Sequence, residues 1–340
     1  METIMKISQI LKCLSGITIY HKIPVYNLNW LNKSSFYDKI LGESTITLLD
    51  VGARNVSVEE LMPLQKHLRY IGFDADSEEV NRLNSQKNQF KTSQFIASFV
   101  GKENEVVKFG LHYNAGESSI FPFENYYNKW FRGGNEDYVK EYIELRSNSL
   151  DELIDEDVDV IKLDTQGTEY EIIENAKKCL NSALIVELEV EFIQMYQGQK
   201  LAHNVFEIMH NMGFELLYLN RVFGQSSDFK GVSRGQMIFG DALFGVSREK
   251  ALNLNVSKKI KYVALLLNYG HIDFAFDIYN NSKDLQTEYP ALKSYFNKKN
   301  KQNRTISGIK IFIDKIIFIL LALRKTNGIR SDSDRSWPIR

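Results

Sequence analysis

The sequence predicts an α/β protein built on an open, mostly parallel sheet. Short apolar runs recur from residue 45 onward, some of them ended by Gly or Asp, and helical periodicity fills the intervals between them. The chain is also long enough: 340 residues, 44% hydrophobic and 25% charged, suffice for one large α/β domain with an appendage or for two ordinary domains.

Residues 1–44 mix a short amphipathic stretch (Ile7, Ile10, Leu11, Leu14) with aromatics, which suggests an N-terminal helical cap. The strand runs then follow in order: ITLLDVG (46–52), RYIGFDA (69–75), SQFIASFV (93–100), VDVIKLD (158–164), SALIVELEV (182–190), FELLYL (214–219) and QMIFGDALFGV (236–246). Thr168 opens a helix with apolar Ile172, Ile173, Ala176, Cys179 and Leu180, and Thr168 with Glu171 has the spacing of a capping box. A second helix carries Val205, Phe206, Met209 and Met212 and stops at Gly213. Residues 101–148 are too long for a loop and rich in aromatics, Gly and Ser, so they read as a hairpin plus lid inserted in a domain spanning 45–250. Helical segments at 258–270 and 271–281 belong to an appendage spanning 251–325, and 326–340 reads as a disordered tail.

Charge and cysteine usage exclude several classes. Lys plus Arg (42) nearly cancels Asp plus Glu (43), so no sequence-wide field argues for nucleic acid, and a small or neutral substrate is expected. Cys13 and Cys179 form neither a disulfide framework nor a zinc pattern. Lys12 interrupts the apolar core that a signal peptide would need, and the expectation is a cytoplasmic protein. Near the C-terminus, 306–325 is an apolar helix with basic flanks, and its unbroken run Ile316–Leu323 falls short of the ~20 residues that span a bilayer. Packing onto the sheet or a partner subunit is the favoured reading. Peripheral contact with an anionic inner-membrane surface is the alternative.

Ligands of open α/β sheets sit beyond the carboxyl ends of the strands, so the residues that follow each run carry the chemistry. After the first run the chain turns through Gly52 and Ala53, and Asp74 follows Gly52 by 22 residues, the spacing of a ribose-binding acid. A dinucleotide loop would need three glycines in G-x-G-x-x-G to admit a pyrophosphate. Here the loop is Gly52-Ala53-Arg54-Asn55-Val56-Ser57, which suits an adenosine cofactor without phosphates better than a nicotinamide one. The third end, VIKLDTQGTEYE (160–171), places Lys162, Asp164 and Glu169 in or just past an apolar strand, where charge must be paired or used. A buried pair of Lys162 with an acid that merely fixes the sheet stays open beside the catalytic reading.

The run SLDELIDEDVDVIKLDTQGTEYEIIENA (149–176) resembles the signature of the FkbM-type S-adenosylmethionine-dependent methyltransferase family. LLDVGARN (48–55) resembles its first motif, IGFDAD (71–76) its second, ASFVG (97–101) its third and GESSI (116–120) the segment before the insert. SALIVELEVEF (182–192) and DALF (241–244) resemble its later strands, so the resemblance covers about 45–246. The first motif departs from the family pattern, since Val56-Ser57 stands where a glycine is common.

The resemblance implies a seven-stranded Rossmann-like (class I) methyltransferase fold that binds S-adenosyl-L-methionine and methylates a hydroxyl. Asp50, Gly52 and Ala53 would line the methionine and sulfonium end. Asp74 would bond the ribose hydroxyls, Ala75 and Asp76 would lie beside ribose and adenine, and Ala97 with Ser98 would border the adenine. Asp164 would face the transferred methyl.

A sugar or alcohol hydroxyl needs a base as its bond to carbon forms. Asp164 is the first candidate, Glu169 and Glu187 are second choices, and Lys162 is a charge-balancing partner. The bland alternatives are that Glu169 caps its helix and that Glu187 and Glu189 contact backbone. His112, in the insert near Ser118 and Ser119, is a candidate acceptor-site residue. A divalent metal on Asp164 is an alternative for which no second ligand converges. The expected partner is a small-molecule or glycan hydroxyl acceptor, of a sugar or related metabolite. The competing reading is a catalytically silent module of the same fold in a glycan pathway, against which Asp50, Asp74 and Asp164 speak.

Overall fold

The computed structural model describes residues 30–113, 115–132, 139–229, 235–300 and 329–331. Its centre is β1 (Ile46–Val51), every residue of which is buried, flanked by parallel β2 (Leu68–Asp74) and β7 (Val160–Leu163). A strand covered on both faces has no polar side to show, which is why ITLLDV reads as a run rather than an alternation. β3 (Thr92–Ala97) continues the sheet beyond β2, and β8 (Ile185–Glu191) beyond β7. Antiparallel β10 (Gln236–Val246) lies between β8 and β9 (Phe214–Gly224). The order β3-β2-β1-β7-β8-β10-β9 contains all seven expected runs.

The run 93–100 is not one strand. It breaks at Ser98, whose N–H donates to the Asp74 carbonyl at 3.0 Å, and β4 (Phe99–Val100) then pairs with a second sheet. That sheet, in the order β4-β6-β5, is the insert: β5 (Val106–His112) and β6 (Val139–Asn148) form an antiparallel pair, with the helix Asn125–Arg132 between them in the chain. The capping box at Thr168 is also absent. The Thr168 side chain makes no cap, and the expected single helix is two short ones, Glu169–Glu174 and Lys177–Ser182, which bury the five named apolar positions.

The C-terminal helices are part of the same core. Helix Val256–Tyr269 ends at Gly270, whose φ of 90° is a left-handed cap, and Ile272–Asn280 turns back against it. Buried Tyr262, Val263, Leu266 and Tyr269 share one apolar cluster with β1, β2, β7 and β8. At about 1.5–3 kcal/mol per fully buried large side chain, this helix contributes substantially to the sheet's stability. The N-terminal helix Trp30–Leu41 joins the same layer through Tyr37, Ile40 and Leu41. Of the tail, Ile329–Ser331 forms β11, antiparallel to β9, whose outer edge offers unpaired backbone groups. The basic-flanked helix expected at 306–325 lies outside the described residues, as do residues 1–29. Among the described residues no helix is long and apolar enough to cross a membrane.

Candidate functional site

The ends of β1, β2, β3 and β7 converge on one cavity of about 230 Å³. Gly52 turns the chain off β1 with φ 84°, and its N–H and that of Ala53 both donate to the Phe73 carbonyl at 2.9 Å. The loop then runs through Asn55 and Val56, with φ of 60° and 53°. At Val56, where the resemblance expects a glycine, the backbone is left-handed and a β-branched residue carries it.

On the β2 side, Asp74 and Asp76 act as a pair. The Asp76 N–H donates to Asp74 Oδ1 at 2.8 Å, and Asp76 in turn caps the helix Ser77–Ser85 by accepting from the N–H groups of Glu78 and Glu79. Arg54 spans them, 2.8 Å from Asp76 and 3.7 Å from Asp74. Burial pushes the Asp74 carboxyl above its ordinary range, against the pull of the Asp76 N–H and Arg54. For Asp76 burial acts in the same direction, but Arg54 and the helix N–H groups outweigh it and hold the carboxyl below its ordinary range.

On the β7 side, Asp164 follows the strand and lines the cavity with Thr165, Gln166 and Thr168. Glu169 is buried and accepts from Thr165 N–H at 2.7 Å, Thr165 Oγ1 at 3.0 Å and Gly167 N–H at 3.0 Å. It is the clasp of this loop. Desolvation raises its pKa, with the nearby Asp164 charge adding to the effect against the hydrogen bonds.

Gly52, Asp74, Ala75, Asp76, Ser98 and Asp164 therefore line one cavity. The other candidates stand elsewhere. Asp50 is fully buried behind the wall, accepting from Tyr70 Oη and from Lys162 Nζ at 3.3 Å. Lys162 lies between Asp50 on β1 and Glu187 on β8 in the register of the sheet, the arrangement that the buried-pair alternative describes. Glu187 accepts from Tyr269 Oη at 3.1 Å, beneath the C-terminal helix. Ala53 is buried against Gly72, and Ala97 is exposed at the end of β3. His112 is buried in the insert, edge-on to Phe123, with its backbone N–H donating to Ser118 Oγ at 3.1 Å.

Arg54, Asn55, Gln166, Ser118 and the apolar Phe99 and Phe109 also line the cavity. Arg54 had a signal: a cation in the β1 turn, 22 residues before Asp76. Ser118 lies in the GESSI segment that the resemblance singles out, whereas Phe109 had no signal, because a second sheet brings it in. Among the described residues no group of three or more His, Cys, Asp or Glu side chains could hold a metal ion.

The seven-stranded, mostly parallel sheet, with antiparallel β10 between β8 and β9 and the cavity at the strand ends, is a class I methyltransferase fold. Residues 50–216 match the family model of the methyltransferase FkbM domain, and this stretch of the chain is a domain of that family. No curated protein matches the chain. Among solved structures it is similar to the methyltransferase FkbM from Methylobacillus flagellatus KT, at 9% identity over 70% of this chain and 58% of that one, TM-score 0.31. It is also similar to magnesium protoporphyrin IX methyltransferase from Synechocystis PCC 6803, solved with bound S-adenosylmethionine (10% identity, 64% and 80% covered, TM-score 0.33). A third is precorrin-6Y C5,15-methyltransferase from Geobacter metallireducens GS-15 (14% identity, 63% and 88% covered, TM-score 0.31).

Proposed function

We propose that the protein is an S-adenosylmethionine-dependent O-methyltransferase acting on a hydroxyl of a sugar, glycan or related metabolite. The observation that carries this reading is the single cavity lined at one end by Asp74 and Asp76 and at the other by Asp164.

The residues present suit the cofactor. A ribose diol is recognised by a carboxylate, and Asp74 offers one whose direction is fixed by the Asp76 N–H. An adenine needs apolar walls with a few polar atoms, which Phe73, Phe99 and Ser98 provide. The loop after β1 lacks the glycines for a pyrophosphate but turns tightly at Gly52. S-adenosylmethionine supplies an electrophilic methyl group on a sulfonium.

The protein's part is then alignment and proton removal. Holding the acceptor in line contributes up to roughly 7–11 kcal/mol in favourable cases. Asp164 takes the hydroxyl proton as the new bond forms, an effect of about 10²–10⁴-fold. Glu169, clasped by its own loop, keeps Asp164 in place rather than acting as the base. His112 and Lys162 are structural in this reading. The insert, through Gly116 and Ser118, forms the acceptor side of the cavity.

The test is calorimetry with S-adenosylmethionine, followed by transfer of labelled methyl to a panel of glycans and simple sugars. Cofactor binding with label on a hydroxyl oxygen is expected. A purified, folded protein that binds no S-adenosylmethionine overturns the reading in favour of a silent module, and label on nitrogen overturns the hydroxyl assignment.

A further inference from the structure

Between Asp164 and Gly167 stands Gln166, a non-glycine residue with φ 58°, a backbone conformation that side chains adopt only where the surroundings enforce it. One contact holds its backbone and two hold its side-chain amide. Ser119 Oγ donates to the Gln166 carbonyl at 2.8 Å, Tyr196 Oη donates to Gln166 Oε1 at 2.8 Å, and Gln166 Nε2 donates to Asp164 Oδ1 at 3.4 Å.

The orientation of that amide is fixed by chemistry. A carboxylate only accepts, so the amide must present nitrogen to Asp164, and its oxygen must then be met by a donor. Tyr196 is that donor. Burial, with the charges of Glu189, Glu117, Glu169 and Glu191 around it, pushes its phenol far above the ordinary range and keeps the proton on the oxygen. The ring itself cannot wander: it is 1% exposed and stacks on Phe123 at 4.8 Å. Its backbone N–H donates to Gln199 Oε1 at 2.5 Å. With the amide turned over, two oxygens would face each other at Asp164, so the carboxylate decides the orientation, while the Tyr196 hydroxyl meets the amide oxygen as donor.

We propose that Gln166, oriented by Tyr196, is the positioning residue of this site: its amide nitrogen fixes the direction in which the Asp164 carboxylate meets the transferred methyl group. This rests on Asp164 being the carboxylate at the sulfonium end in the proposed function. The strained backbone is what places the amide between the two. Gly167, directly after it, supplies the sharp return, since even a Cβ there would lie 3.3 Å from the Tyr196 ring and 3.4 Å from that of Phe121.

The distinction between a positioning role and a merely structural one can be read from two ligands of nearly the same shape. S-adenosylmethionine carries a positive sulfonium, and S-adenosylhomocysteine has a neutral thioether in its place. A carboxylate held in a fixed direction favours the cation, whereas a general loosening of the pocket weakens both ligands alike. Calorimetry is therefore run with both on the full-length wild type, on Tyr196→Phe, which removes one hydroxyl and keeps the stacking ring, and on Gln166→Met, which removes the amide at similar length.

In both variants the preference for S-adenosylmethionine falls about threefold to tenfold, the worth of one ordinary hydrogen bond, as suits a contact of 3.4 Å, with the S-adenosylhomocysteine affinity unchanged. Folded variants that retain the wild-type preference, or lose both ligands equally, overturn the proposal. If the wild type binds neither ligand, it is the methyltransferase reading that fails, and the positioning role with it.

Discussion

Gly52 and Asp164 meet backbone to backbone: a Cβ on Gly52 would stand 2.1 Å from the Asp164 carbonyl oxygen. The two loops that line the cavity from β1 and β7 are thus in direct contact, and the Asp164 N–H closes the arrangement by donating to the Val51 carbonyl at 3.0 Å. A glycine is needed here twice over, for space and for its φ of 84°.

Gly52→Ala is expected to destabilise the fold by about 2–3 kcal/mol, the sum of a left-handed alanine and a forced separation of the two loops. Cofactor affinity should fall with it, since both loops line the cavity. Urea denaturation and calorimetry measure the two effects. An alanine variant with wild-type values in both would show that the loops do not share this contact.

Val56 makes the opposite case. It is strained at φ 53°, yet it packs partly buried against the core. Replacing it by glycine relieves about 1–2 kcal/mol of left-handed strain and loses a similar amount of packing and chain entropy. Replacing it by alanine loses packing and keeps the strain. Val56→Gly is therefore expected to be at least as stable as Val56→Ala, the reverse of the usual order at ordinary backbone angles. Melting temperatures of the two variants decide it.

These two residues mark how far the sequence carries. Gly52 is legible, because a small residue after an apolar run ending in Asp has one common use. Val56 is not, because nothing in the chain announces that a missing glycine leaves the backbone angle behind. The seven strands were legible from their runs, and the ribose acid from its distance to Gly52. The break at Ser98 was not: one serine between Phe95-Ile96-Ala97 and Phe99-Val100 does not end a run, and only the second sheet, built from residues 99–148, pulls Phe99 and Val100 away. Glu169 illustrates a further limit. Charge past a buried strand says that an acid is paired or used, and the choice depended on where the N–H groups of Thr165 and Gly167 fall once the loop closes.

Asp159 ties the C-terminal helix to the sheet. It is fully buried, accepts from Lys258 at 2.9 Å, Lys261 at 2.8 Å and the Thr47 N–H at 2.9 Å, and Lys258 also donates to the carbonyls of Val158 and Ser182. Removing the carboxylate leaves two ammonium groups and a strand N–H without their common partner. Asp159→Ala is expected to lose about 3–5 kcal/mol, and Lys261→Met clearly less, because Lys258 and Thr47 still satisfy the carboxylate. Chemical denaturation of both variants gives the comparison, and equal losses would mean that the cluster contributes nothing beyond ordinary packing.

His271 sets the stability on the acid side. It sits where helix Val256–Tyr269 turns into Ile272–Asn280, its backbone N–H donating to the Leu266 carbonyl at 2.8 Å. Burial pushes its imidazole down from 6.5 to about 4, although Asp273 pulls the other way. The folded state thus prefers the neutral ring, while the unfolded chain takes up a proton below its ordinary pKa. The stabilisation is fully present above pH 6.5 and is lost as pH falls through about 4, with a slope of at most about 1.4 kcal/mol per pH unit. Between pH 7 and pH 5 the expected loss is about 1–2 kcal/mol, and His271→Gln, which takes up no proton, should remove that part of the slope. Unfolding free energies of wild type and variant at the two pH values test this, and parallel pH curves would place the acid sensitivity on other groups.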